Sequence, residues 1–123
     1  MRRKILFVED GEDAVLLVTT LLDSSLYEIV SARSYAEGLE AVRGGNFDLF
    51  LLDIGLPDGD GLQLCRDIRK FDGKTPVIFL TGKLDFDREL AIEAGAQALL
   101  LKPYNLDELR FTLKRLLFPS SEQ

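Results

Sequence analysis

Asp53 follows the apolar run Leu49–Leu52 and precedes a loop containing Pro57 and the glycines Gly55, Gly59 and Gly61. A carboxylate at the end of a buried strand, with small residues around it, is accessible to a small anion and can attack phosphorus. Three other strand-like runs also end in residues suited to phosphate chemistry: Ile5–Val8 leads into Glu9-Asp10, Val77–Leu80 into Thr81, and Ala98–Leu101 into Lys102-Pro103. If these runs lie parallel in one sheet, the carboxylates, the hydroxyl and the ammonium converge at its carboxyl edge, where open α/β folds place their ligands. Such a set can hold a divalent cation and a phosphoryl group.

Each residue also has a plainer explanation. An aspartate after a strand often just starts a turn, and Glu9, Asp10, Glu12 and Asp13 could be a solvated acidic turn that favours a helix N-terminus. Threonine is common in strands, and lysine usually faces solvent. The joint placement is harder to explain this way, with Gly82 leaving space beside Thr81 and Pro103 fixing the turn after Lys102. At an effective dielectric near 20, two carboxylates about 4 Å apart repel by roughly 4 kcal/mol, so the cluster is costly unless a cation occupies it. Magnesium suits it, being a hard ion that takes one or two carboxylates and leaves room for a phosphate oxygen.

The elements that must position these residues follow from periodicity. Predicted strands are Ile5–Val8, Tyr27–Ala32, Leu49–Leu52, Val77–Leu80 and Ala98–Leu101. Between and after them lie helical patterns. Ala14, Leu17, Val18, Leu21 and Leu22 have the spacing of a buried stripe, and Ser34 with Glu37 forms a capping box ahead of Ala36, Leu39 and Val42. Gly44-Gly45 stops that second helix as a left-handed C-cap would. A third helix buries Leu62, Cys65 and Ile68, a fourth covers Asp85–Ala94 and ends at Gly95, and Asn105 caps a fifth with Leu106, Leu109, Leu113 and Leu116 inward. Short uninterrupted apolar strands alternating with amphipathic helices predict an α/β fold with a five-stranded parallel sheet covered on both faces.

Composition narrows the function. At 123 residues, with 46% hydrophobic and 29% charged side chains, the chain reads as one globular domain. The lone Cys65 excludes an internal disulfide framework, and the chain has no histidine, which excludes an imidazole triad, a histidine zinc site and a phosphohistidine relay residue. A net charge of −6 argues against nonspecific nucleic-acid binding. No apolar stretch approaches the roughly 20 residues needed to span a bilayer, and no signal-peptide core follows the N-terminus, so a cytoplasmic location is expected.

In motif order and over nearly its whole length, the chain resembles the receiver domain of two-component response regulators. The residues that carry the resemblance are Phe7-Val8-Glu9-Asp10, Leu52-Asp53-Ile54-Gly55-Leu56-Pro57-Asp58-Gly59-Asp60-Gly61, Leu80-Thr81-Gly82 and Leu101-Lys102-Pro103. It implies a doubly wound (βα)5 fold with strand order 2-1-3-4-5, a receiver domain over 1–118, and a tail or the start of a linker over 119–123. It also implies that Asp53 is the phosphoacceptor and Asp10 a direct Mg2+ (or Mn2+) ligand. Glu9 would act mostly through water, and the Gly55 carbonyl would complete the metal shell. Thr81, next to Gly82, and Lys102 would bind phosphoryl oxygens. The implied donor is a phosphohistidine on a sensor histidine kinase or histidine phosphotransfer protein. The implied output is a shift in the face formed by the fourth helix, fifth strand and fifth helix, in a monomer or a phosphorylation-promoted dimer, read by a partner or an effector domain absent from this chain.

The chain departs from the family's pattern at Leu99, where most receivers carry the aromatic residue of the switch. By the same resemblance, Gly55 and Lys83 lie where family members tune access of water to the acyl phosphate. Two rival functions follow: a receiver-like interaction module that works without phosphate, and an aspartate-nucleophile phosphatase. Against the phosphatase, the position two residues after Asp53, where such enzymes hold a general acid, is Gly55. The expectation is therefore a signalling domain that catalyses only its own phosphorylation and dephosphorylation, and not an enzyme acting on separate substrates.

Overall fold

The computed structural model describes residues 2–82, 88–102 and 105–119. Five strands, β1 (Arg3–Val8), β2 (Tyr27–Ala32), β3 (Leu49–Asp53), β4 (Val77–Thr81) and β5 (Ala98–Leu101), form one parallel sheet in the order β2-β1-β3-β4-β5. This is the doubly wound 2-1-3-4-5 arrangement expected from the sequence. Among the described residues there are five helices: α1 (Glu12–Leu21), α2 (Tyr35–Gly44), α3 (Gly61–Arg69), α4 (Arg88–Ala94) and α5 (Leu106–Leu117). Residues 85–87 of the expected fourth helix and 120–123 of the expected tail lie outside the described residues.

Side chains alternate across the sheet and build two cores. Ile5, Phe7, Leu49, Leu51, Ile78 and Leu80 meet α1 and α5 through Val18, Leu22, Leu109 and Leu113. On the other face, Leu6, Val8, Phe50, Leu52, Val77 and Phe79 meet α2, α3 and α4 through Val42, Leu64, Ile68 and Ala91. Full burial of each large apolar side chain stabilises by about 1.5–3 kcal/mol, enough in sum to offset charge crowding at one edge of the sheet.

Helix ends follow their capping chemistry. The Ser34 hydroxyl accepts from Glu37 N at 3.1 Å, and the Glu37 carboxylate accepts from Arg33 N at 2.9 Å, one residue outside a standard box. The Asn105 side chain accepts from Glu108 N at 3.1 Å. The C-terminus of α1 has no basic residue of its own in the last turn; Arg110 of α5 donates to the Leu21 carbonyl at 3.2 Å.

The structure corrects four expectations. Leu17 and Leu21 are exposed, because α1 buries only the narrow line through Val18 and Leu22. Ala36 is exposed, and the buried face of α2 instead includes Gly38, whose added Cβ would lie 3.0 Å from a Val8 methyl. In α3 the fully buried positions include Leu64, while Leu62 is only partly covered. Gly45 is extended at φ −133, so α2 does not end in a left-handed cap; among the described residues only Gly95, after α4, has positive φ, at 106.

Candidate functional site

Strand register brings the predicted residues together. Val8 pairs with Leu52, so Glu9 follows β1 at the level where Asp53 ends β3. Asp53 pairs with Leu80, which places Thr81 one step beyond it, and Thr81 pairs with Leu101, after which Lys102 follows. Glu9, Asp53 and Thr81 are buried and Asp10 is exposed.

One carboxylate oxygen from each of Glu9, Asp10 and Asp53 lies within 4.8 Å of the others. Three hard oxygen donors at this spacing fit a divalent cation. The Lys102 ammonium reaches into the same cluster, 2.8 Å from Glu9 Oε1 and 3.2 Å from Asp53 Oδ2. Backbone amides fix the remaining oxygens: Gly11 N donates to Glu9 Oε2 at 3.1 Å, and Gly55 N to Asp53 Oδ1 at 3.4 Å.

Burial raises the Asp53 pKa above its ordinary value, and the Glu9 charge adds to this; Lys102 and the Gly55 amide pull against both. For Lys102, burial is the largest single influence and favours the neutral amine. It is outweighed by the hydrogen bond that Lys102 donates to Glu9 and by the charges of Asp53 and Glu9, so the net shift is upward. The repulsion expected from the sequence is therefore present, and Lys102 relieves part of it.

Of the remaining predicted positions, Gly55 and Gly82 have open space where a Cβ would stand. Leu99 is partly buried against the α2–α4 core and, with Ile92, lines a small cavity of about 90 Å3 between α4 and β5. Lys83 and Pro103 lie outside the described residues.

Two residues of the loop matter more than the sequence indicated. A Cβ on Gly61 would lie 2.3 Å from the Asp53 carbonyl oxygen, so only glycine allows the chain to return this close to the strand end. The return is closed by Gly61 N donating to the Ile54 carbonyl at 2.8 Å, and by Gly55–Leu56 pairing antiparallel with Gly59–Asp60. Asp58 accepts from Tyr35 N at 2.7 Å and Ala36 N at 3.1 Å, capping α2 from outside it. Glycine spacing could have flagged Gly61; no local pattern could have revealed a cap supplied from 23 residues away.

Comparison with known proteins gives a consistent result. The family model described as "Response regulator receiver domain" matches residues 5–114. The Bacillus subtilis alkaline phosphatase synthesis transcriptional regulatory protein PhoP is 34% identical, the match covering 99% of this chain and 54% of that protein. The Escherichia coli KDP operon transcriptional regulatory protein KdpE is 34% identical over 89% of this chain and 49% of its own length. The chain thus spans about half the length of these relatives. A CheY-like receiver domain protein from Methanospirillum hungatei superimposes with a TM-score of 0.88 at 30% identity, covering 95% of this chain and 94% of that one. Thermotoga maritima response regulator TrrA, solved in complex with Mg(2+)-BeF, gives 0.86 at 34% identity, covering 95% of this chain and 100% of that one. Among the described residues no helix is long and apolar enough to cross a membrane. The chain belongs to the receiver domain family of two-component response regulators.

Proposed function

We propose that this domain accepts a phosphoryl group on Asp53 from a phosphohistidine of a sensor histidine kinase or phosphotransfer protein, stores it, and signals through a partner or an effector domain elsewhere. The observation that carries this reading is the buried Asp53 carboxylate, within 4.8 Å of two other acids and 3.2 Å from the Lys102 ammonium. This supports the reading, because the transfer needs a nucleophile, a cation-binding donor set and a fixed positive charge side by side.

An Asp53 oxygen attacks phosphorus in line, the P–N bond of the donor breaks, and the imidazole nitrogen keeps the electron pair. Lys102 meets the charge on one phosphoryl oxygen and the Thr81 hydroxyl donates to another, with Gly82 leaving the approach clear. Asp10, Asp53 and the Gly55 carbonyl would hold Mg2+, with Glu9 acting through water. When bound, the cation supplies positive charge at the phosphoryl oxygens and offsets the crowding of the acids. Gly55 provides no acid to protonate a leaving group, so the site favours storage over turnover. Movement of Thr81 toward the phosphoryl group would bias the face of α4, β5 and α5, with Leu99 repacking where an aromatic ring would otherwise move.

Incubation with Mg2+ and a small acyl phosphate tests the reading. A single base-labile, acid-stable phosphoryl adduct is expected on the wild type and none on Asp53→Asn. No adduct on the wild type, or an undiminished adduct on the variant, would overturn it.

A further inference from the structure

The hairpin after Asp53 is fastened to α2 by two contacts. The Asp58 carboxylate, in the turn between Gly55–Leu56 and Gly59–Asp60, accepts from Tyr35 N at 2.7 Å and Ala36 N at 3.1 Å. A Cβ on Gly59 would stand 3.0 Å from the Tyr35 ring, so the loop backbone lies against that ring as well. α2 already has a cap of its own in Ser34, which accepts from Glu37 N at 3.1 Å. What Asp58 adds is a link between helix and loop.

α2 is seated just as closely on the strand that carries the other acids. Gly38 is buried, and a Cβ there would lie 3.0 Å from a methyl of Val8, the residue directly before Glu9 and Asp10. One helix thus touches both arms of the candidate cation site: the end of β1 with its two acids, and the loop that holds Gly55. Within the loop, Gly55 pairs with Asp60, and Gly55 N donates to Asp53 Oδ1 at 3.4 Å. Asp60 accepts from Gln63 N at 2.8 Å and so fixes the loop to the helix that follows it, while Asp58 fixes it to the helix beside it.

We propose that Asp58 is a positioning residue for the divalent cation. By holding the hairpin on α2 it sets where Gly55 stands relative to Glu9 and Asp10. The inference rests on the Mg2+ set named above, in which the Gly55 carbonyl is a ligand. Asp58 is not one of the clustered acids, and it acts through the hairpin. Mg2+ demands near-ideal octahedral geometry with ligands at roughly 2.0–2.1 Å, so a small freedom in the support of one ligand lowers affinity.

Mg2+ titration followed by amide NMR, without a phosphodonor, tests this on three variants. Asp58→Ala should raise the Mg2+ Kd about tenfold, the low end for losing a group that orients a metal ligand. Asp58→Asn removes the same charge but keeps a side-chain oxygen for one of the two amides. Asparagine caps helices about as well as aspartate, so its Kd should stay within about threefold of the wild type. Asp72→Ala, in the turn before β4 and at the opposite end of that strand from Thr81, controls for stability: it should melt lower and bind Mg2+ as the wild type does. The proposal is overturned if Asp58→Ala binds Mg2+ as tightly as the wild type, or if Asp72→Ala weakens binding equally. It is also overturned if Asp58→Asn weakens binding as much as Asp58→Ala, which would mark a charge effect. A wild type that takes up Mg2+ and forms the Asp53 adduct keeps the proposed function standing whichever way these variants behave; one that binds no Mg2+ overturns both.

Discussion

The Lys102 peptide nitrogen donates to the Thr81 carbonyl oxygen at 2.7 Å, so the residue offering the hydroxyl and the residue offering the ammonium share a backbone link between β4 and β5. The bond fixes the base of the Lys102 side chain against the end of β4, beside Thr81.

Removing the Lys102 ammonium should destabilise the domain. Lys102→Met leaves Glu9 and Asp53, 3% and 7% exposed, without their 2.8 and 3.2 Å partner. Breaking a buried pair from one side costs about 3–5 kcal/mol, and the rim position of Lys102 lowers the expectation to about 2–4 kcal/mol. Urea unfolding of metal-free protein measures the loss, and millimolar Mg2+ should restore part of it.

Asp53→Asn should act in the opposite direction. Burial and Glu9 hold the Asp53 pKa above its ordinary value, so its ionised form costs stability, while Lys102 keeps Glu9 as a partner in the variant. The sign follows from linkage: a raised folded-state pKa gives stability that is full below the unfolded value of 3.8 and is lost as pH rises through the folded value. In metal-free buffer at pH 7 the variant should melt higher by roughly 3–6 °C, about 1 kcal/mol for a domain of this size, and that part of the pH slope should vanish. A lower melting temperature would show that the Lys102 pair outweighs the repulsion.

Gly61→Ala should destabilise by about 1–3 kcal/mol, because the new methyl meets Asp53 backbone atoms at 2.3 and 3.0 Å and neither can rotate away. Alanine is the better helix former by up to about 1 kcal/mol at this first position of α3, and steric overlap outweighs that gain. Adduct formation at Asp53 should fall with stability, as read by acyl phosphate labelling.

Asp72→Ala should cost about 1 kcal/mol in denaturant unfolding near neutral pH. Its carboxylate accepts from Lys74 N and Thr75 N, each at 3.0 Å, and from Thr75 Oγ1 at 2.7 Å. Burial alone would raise its pKa, but these bonds prevail and lower it. The contribution is therefore present above the unfolded value of 3.8 and lost as pH falls through the folded one, so wild type and variant should converge in acid.

The sheet was legible because each strand is a short apolar run ending in a polar residue, and parallel alternation leaves few topologies. The cluster of Glu9, Asp10, Asp53, Thr81 and Lys102 was legible for the same reason, since strand ends become neighbours once the order is known. What escaped the sequence depended on distance through space. The exposure of Leu17 and Leu21 reflects how little of α1 its neighbours cover, which periodicity does not report. The Lys102 pair with Glu9 spans 93 residues, and its relief of carboxylate crowding needs a geometry that spacing cannot supply.

The reach of Asp58 to the Tyr35 and Ala36 amides means the segment rimming the Asp53 carboxylate is anchored at three points: its own ends and α2, which packs on the same face of the sheet as the helix the segment leads into. It is therefore not a portable motif. Transplanted between the same strand and helix of another scaffold without a free helix N-terminus beside it, the loop would keep its acids and glycines and lose its tether to that helix.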